Sequence, residues 1–122
     1  LEKRKILVVE DEECLLKLEQ VLLRSSGYEV LSTSCGNRAL AMLERQPVDL
    51  VLLDLMLPNI DGYEVCRRIK ANPATAAVPV VMVTGRNDSN DIELGNAAGA
   101  DWYIIKPFKA ASLLNVVARF LE

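Results

Sequence analysis

Aliphatic runs alternate along this chain with stretches whose apolar residues recur every three or four positions. Lys5-Ile6-Leu7-Val8-Val9 is the first run and predicts a buried strand. The acidic burst Glu10-Asp11-Glu12-Glu13 follows it, and from there to Ser26 the pattern is helical. Cys14, Leu18, Val21 and Leu22, with Leu15 beside them, form the apolar face of that helix. Asp11 suits its N-cap, Glu12 and Glu13 its first turn, and Gly27 the position past its end. Tyr28 to Ser32 alternates loosely and reads as a strand nearer an edge. A second helix runs from Asn37 to Gln46, with Leu40 and Leu43 inward, and stops at Pro47.

Leu50-Val51-Leu52-Leu53 is apolar enough to be buried on both faces, and it ends abruptly in Asp54. The turn formers Pro58, Asn59, Asp61 and Gly62 come soon after. A third helix, Tyr63 to Ala71, turns Val65, Cys66 and Ile69 to one side and ends at Asn72-Pro73. Val80 to Val83 is a further buried strand closing on Thr84 and Gly85, and the loop from Arg86 to Asp91 is polar. The helix from about Asp91 to Ala98 is the weakest, since Gly95 and Asn96 interrupt it, and it should be short and mobile. Trp102-Tyr103-Ile104-Ile105 is the last strand, and Ala110, Leu113, Leu114, Val117 and Leu121 define an amphipathic final helix.

Five strand–helix repeats predict an α/β fold: a parallel sheet with right-handed crossovers and helices on both faces. Periodicity leaves two strand orders open, and either puts a ligand at the switch point. With 122 residues the chain is expected to make one domain, 1–122, and Leu1 in place of Met suggests that it is processed or excised from something longer. At 51% hydrophobic, 25% charged and a net charge of -3 it is ordinary globular protein, with no basic stripe for nucleic acid. No apolar run approaches the ~20 residues of a membrane span. Cys14, Cys35 and Cys66 are odd in number and far apart, which fits reduced thiols in a cytoplasmic protein, each packed as a small hydrophobe. The absence of histidine excludes a Ser-His-Asp or Cys-His site and argues against zinc.

The chemistry collects at one end of the sheet. The four aliphatic strands finish in Glu10 and Asp11, Asp54, Thr84 and Lys106. Three carboxylates on one rim repel each other unless a cation neutralises them. Lys106 supplies one charge, and a few hard oxygen ligands are what Mg²⁺ prefers. A carboxylate can act as nucleophile toward phosphorus, and a metal, an ammonium and a hydroxyl stabilise the transferring group. The residues thus point to metal-assisted phosphoryl transfer to or through Asp54.

In order and spacing, Val8-Val9-Glu10-Asp11-Glu12, Leu53-Asp54-Leu55-Met56-Leu57-Pro58, Asp61-Gly62, Val83-Thr84-Gly85, Gly99-Ala100-Asp101 and Lys106-Pro107-Phe108 resemble a receiver domain of bacterial two-component response regulators. The resemblance covers essentially the whole length. It implies a doubly wound, flavodoxin-like three-layer sandwich with strand order 2-1-3-4-5. Asp54 would accept a phosphoryl group from the phosphohistidine of a histidine kinase or phosphotransfer protein. Asp11, Asp54 and the Met56 backbone carbonyl would hold Mg²⁺, or Mn²⁺ in its place, with Glu10 acting through water. Thr84 and Lys106 would bind the phosphoryl oxygens, and the Lys106-Pro107 bond would be cis. Such a domain is a signalling phosphoprotein that catalyses only its own phosphorylation and dephosphorylation. Its switch residues would be Thr84 and Tyr103. Its output face, formed by the fourth helix, last strand and last helix, would meet an output domain, a partner protein or a second copy in a phosphorylation-linked homodimer. The domain would bind neither nucleic acid nor membrane directly.

Two positions depart from the pattern. Glu10 stands where the family most often has aspartate, and Gly85 where alanine is frequent. Trp102 replaces a polar residue and is either a partner anchor on the exposed edge or packed under the final helix. Neither Met56 nor Arg86 positions an attacking water, which implies a long-lived phosphate. A haloacid-dehalogenase type phosphohydrolase would need an acid at Met56, and a flavodoxin-like cofactor binder would be repelled by Glu10 to Glu13. The remaining alternative is a phosphorylation-independent interaction module, against which the full set of Asp11, Asp54, Thr84 and Lys106 argues.

Overall fold

The computed structural model describes residues 3–85 and 89–122, with side chains for all of these except 89–92. Strand and helix alternate throughout: β1 (Lys5–Val9), α1 (Glu13–Ser25), β2 (Glu29–Thr33), α2 (Gly36–Arg45), β3 (Leu50–Asp54), α3 (Gly62–Ala71), β4 (Val80–Thr84), α4 (Ser89–Ala98), β5 (Trp102–Ile105) and α5 (Ala110–Leu121). All strand pairs are parallel and the order is β2-β1-β3-β4-β5, as the family resemblance implies. Arg86, Asn87 and Asp88 of the polar loop expected at 86–91 lie outside the described residues, and the remainder belongs to α4, which starts at Ser89 and at ten residues is as long as α2 and α3 rather than the short helix expected from Asp91.

Side-chain alternation along the central strands divides the interior into two layers. Leu7, Val9, Val51, Leu53 and Met82 face α2, α3 and α4, where they meet Ala39, Leu43, Val65, Cys66, Ile69 and Ala98. Ile6, Val8, Leu50, Leu52, Val81 and Val83 face the other way, toward Leu23 of α1 and Leu113, Val117 and Leu121 of α5. β3 and β4 are buried along their full length because each has a strand on either side and helices on both faces. β2 lies at one edge, as its looser alternation predicts.

The sequence pattern misjudges α1. Its expected apolar face is turned largely outward: Cys14 is exposed, Leu18 is 49% exposed and Val21 is 61% exposed. The buried positions are Glu19 and Leu23, with Leu16 and Leu22 packed beside Leu23's layer. Apolar residues surround much of this helix, so periodicity alone selected a stripe rotated away from the buried one. Nor does Asp11 cap α1. The cap position belongs to Glu12, without a side-chain cap bond, and Asp11 is left outside the helix. The cysteines also differ from one another, since only Cys66 is buried while Cys35 is half-buried.

One close approach fixes the loop that follows Asp54. Asp61 caps α3, its Oδ1 accepting the Glu64 N–H at 2.9 Å. Gly62 next to it donates its N–H to the Leu55 carbonyl at 3.0 Å. A Cβ on Gly62 would lie 2.5 Å from the Asp54 carbonyl oxygen and 2.8 Å from Leu55 Cα, both backbone atoms that cannot swing aside. Gly62→Ala should therefore force α3 away from β3. The expected loss is about 1–3 kcal/mol, the usual range for overpacking, measured as a lower urea midpoint at unchanged slope.

Candidate functional site

The parallel sheet delivers the polar strand ends to one rim. Glu10 follows β1, Asp54 ends β3, Thr84 ends β4, and Lys106 follows β5. Glu10, Asp54 and Thr84 are 1%, 3% and 3% exposed, which is deep for polar groups. Asp11 is exposed above them. Carboxylate oxygens of Glu10, Asp11 and Asp54 lie within 4.8 Å of one another. Lys106 Nζ stands 3.1 Å from Glu10 Oε1 and 3.4 Å from Asp54 Oδ2. Asp54 Oδ1 accepts the Met56 N–H at 3.1 Å, and Glu10 Oε2 accepts the Glu12 N–H at 3.2 Å. The Lys106 N–H donates to the Thr84 carbonyl at 2.8 Å, and the Lys106-Pro107 bond is cis.

Charge governs how this cluster holds protons. Burial pushes the Asp54 carboxyl up to about 6, helped by its hydrogen bond with Glu10 and by that group's charge, while Lys106 and the Met56 N–H pull it down. Asp11 is raised as well, by burial and then by its hydrogen bond to Asp54 and the charge there. Burial works against the charge on Lys106, yet Glu10 and Asp54 outweigh it and hold the ammonium above its ordinary value. The donor set fits a hard divalent cation: all oxygen, all anionic when ionised, and with Glu10 Oε1 buried outside hydrogen-bond geometry despite its proximity to Lys106.

Among the residues singled out from the sequence, Glu10, Asp11, Asp54 and Lys106 meet directly. Met56 lies at the mouth with its side chain 55% exposed. Tyr103 is half-buried, one strand removed from Asp54, and its hydroxyl donates to Asn96 Oδ1 of α4 at 3.2 Å. Its ring lies against Gly95, where an added Cβ would come within 2.0 Å of the hydroxyl oxygen and 2.8 Å of ring carbons. Trp102 is 45% exposed, with the Arg119 guanidinium 5.1 Å from its ring centroid, so it lies on the open edge under a cationic cover.

Glu19 is the buried acid that reading the sequence did not find. It is 1% exposed on the inner face of α1, and its carboxyl is pushed up to about 8, by burial first and then by the charge on Glu10. Only a helix-wheel placement with the stripe rotated toward Leu16 and Leu23 would have turned it inward. Beside the site, a groove of about 560 Å³ is lined by Cys14, Leu15, Leu18, Lys106, Pro107 and Phe108, among others. The outward-facing apolar side of α1 forms one of its walls.

The chain matches the family described as "Response regulator receiver domain" over residues 6–118. It is 40% identical over 118 residues to the phosphate regulon transcriptional regulatory protein PhoB of Rhizobium meliloti, across 97% of this chain and 52% of that protein. It is 44% identical over 117 residues to the sensory transduction protein RegX3 of Mycolicibacterium smegmatis, across 96% of this chain and 50% of that protein. The chain spans about half the length of these curated relatives. Among solved structures, the receiver domain of sensor histidine kinase PA1611 from Pseudomonas aeruginosa superimposes with a TM-score of 0.91 at 35% identity, covering 98% of both chains. That crystal structure has a magnesium ion coordinated in its active site cleft. Among the described residues of the present chain, no helix is long and apolar enough to cross a membrane.

The raised Glu19 carboxyl has a consequence for stability. Between its ordinary value of 4.5 and about 8, the folded state keeps a proton that the unfolded chain has released. Stability must then fall as pH rises through that window, and Asp54 acts with the same sign over a narrower range. Glu19→Leu removes the larger contribution. Thermal melts should show the variant gaining more over the parent protein at pH 8 than at pH 5; an equal gain at both would contradict the buried, proton-holding carboxyl.

Proposed function

The chain belongs to the receiver domain family of two-component response regulators, and on that premise we propose that it is a phosphoacceptor switch whose acceptor is Asp54. The observation that carries this reading is the meeting of Glu10, Asp11, Asp54 and Lys106 at one rim, with Thr84 on the strand between β3 and β5. An Asp54 carboxylate oxygen attacks the phosphorus of a phosphohistidine on a histidine kinase or phosphotransfer protein. The oxygen–phosphorus bond forms as the phosphorus–nitrogen bond breaks, its electron pair returning to the imidazole, which takes up a proton from solvent. Bound Mg²⁺ would supply charge neutralisation, held by Asp11, Asp54 and the Met56 carbonyl and by Glu10 through water. Lys106 leaves its carboxylate partners to pair with the phosphoryl oxygens, and the Thr84 hydroxyl donates to them. The apolar groove beside Lys106 offers a docking surface for the donor protein.

Phosphorylation then biases two states. Thr84 is drawn toward the phosphoryl group, Tyr103 turns further inward, and its contact with Gly95 and Asn96 carries the change to α4. Leu94, Trp102 and Ile105 are exposed on the face formed by α4, β5 and α5, where an output domain, a partner or a second copy would engage. The domain works in the cytoplasm and acts catalytically only on its own phosphoryl group.

Incubation with acetyl phosphate and Mg²⁺ should add one phosphoryl mass to the intact protein. The adduct should be labile to hydroxylamine and absent from Asp54→Asn and from EDTA-treated samples. A folded protein that gains no mass would instead be a phosphorylation-independent interaction module. Lifetime tests the neighbourhood of the acceptor: the apolar Met56 side chain holds no attacking water, so Met56→Asn should lose its phosphate several-fold faster. Equal decay of the two adducts, followed by mass against time, would count against that role.

A further inference from the structure

Gly95 and Asn96 stand side by side in α4, and both are poor helix formers. The helix nevertheless runs through them without a break. Gly95 is not there for backbone freedom, since the positive-φ glycines among the described residues are Gly27 and Gly99. Its reason is space. Gly95 is buried, and the Tyr103 ring fills the place where a side chain would stand: an added Cβ would lie 2.0 Å from the hydroxyl oxygen and 2.8 Å from two ring carbons. Asn96 is exposed, and its Oδ1 accepts the Tyr103 hydroxyl at 3.2 Å. The two residues that weaken the helix are thus the two that receive one ring, and a local rule broken in this way marks a functional constraint.

The ring has a second direction open to it. Tyr103 lies opposite Met82 in the β4–β5 register and packs at the margin of the layer that holds Met82. Thr84 is two residues further along the same face of β4, one diagonal step from Tyr103. A ring displaced from α4 can therefore turn along that face toward Thr84. We propose that Gly95 and Asn96 form the seat that holds Tyr103 in the unphosphorylated state, Gly95 by giving the ring room and Asn96 by accepting its hydroxyl. This rests on the phosphoacceptor reading given above. The seat favours the unphosphorylated state, and phosphorylation has to empty it. The residue at position 95 then sets how readily the domain switches: a methyl group there would empty the seat in advance, and a phosphoryl group on Asp54 would meet less opposition.

Beryllofluoride, which forms a phosphoryl-like adduct on a carboxylate, tests the seat at equilibrium. Its affinity in the presence of Mg²⁺ is measured for the parent protein, Gly95→Ala, Asn96→Ala, Tyr103→Ala and the Gly95→Ala, Tyr103→Ala double variant. The Tyr103 ring resonances are followed by NMR in parallel. Gly95→Ala should bind roughly tenfold tighter, within the scale of one overpacked contact relieved. Asn96→Ala should bind about two- to tenfold tighter, the scale of one hydrogen bond. It leaves Gly95 in place, so it tests the seat even where Gly95→Ala distorts the helix. The ring resonances of unliganded Gly95→Ala should move toward those of the liganded parent protein. Once Tyr103→Ala has removed the ring, adding Gly95→Ala should leave the affinity unchanged. Parent affinity in both Gly95→Ala and Asn96→Ala, with unmoved ring resonances, would overturn the seat. So would an equal gain from Gly95→Ala with and without the ring, which would trace the effect to helix propensity. A folded parent protein that binds no beryllofluoride with Mg²⁺ would overturn the phosphoacceptor reading and this inference with it.

Discussion

The contact of one ammonium with two buried carboxylates holds the polar rim together. Glu10 follows β1 and Asp54 ends the neighbouring β3, so the two would repel each other across the end of the sheet; Lys106 touches both and offsets part of that conflict. The strand order makes this contact possible. β5 is separated from β3 by β4, so Lys106 has to reach across two inter-strand spacings, roughly 9.6 Å, to meet Asp54. A long, unbranched side chain does this where a shorter cation could not. The Lys106 N–H bond to the Thr84 carbonyl ties down the backbone from which it starts.

Around that contact the fold is conventional in its physics. Central strands flanked on both sides carry uninterrupted aliphatic residues, and the two layers they feed receive alternate side chains. The rim can be polar because the layers beneath are apolar and densely enclosed. Gly62 brings α3 against the backbone of Asp54, so the loop carrying Met56 and Asp61 is closed by main-chain contact at its far end. Gly95 performs a related service on α4, where the lack of a side chain leaves room for the Tyr103 ring.

Most of this was legible in the sequence, for identifiable reasons. Strands such as Leu50–Asp54 announce themselves by composition, and an acid at the end of an aliphatic run has few places to go in a parallel sheet. Proline and glycine marked helix ends well, with Gly27 and Gly99 both adopting the positive φ that ends α1 and α4. The main failure was in α1, and a lesser one in α4, which begins at Ser89 rather than near Asp91. The apolar residues of α1 outnumber its buried positions, so the strongest stripe pointed outward and left Glu19 out of the inward face. For Asp11 only the capping role failed: the strand ends already placed it on the rim beside Asp54, where it stands, while the cap position fell to Glu12. Pattern reading is weakest where a residue answers to a neighbour it cannot see along the chain.

Helix α1 thus lies partly inside out, with an acid toward the core and Leu18 and Val21 toward water. Such a helix leaves part of the hydrophobic driving force unspent. The apolar area that a monomer ordinarily hides is held in reserve at the mouth of the pocket, beside Lys106. A molecule that covered that face would bury apolar side chains that folding alone leaves in water, without any rearrangement of the core.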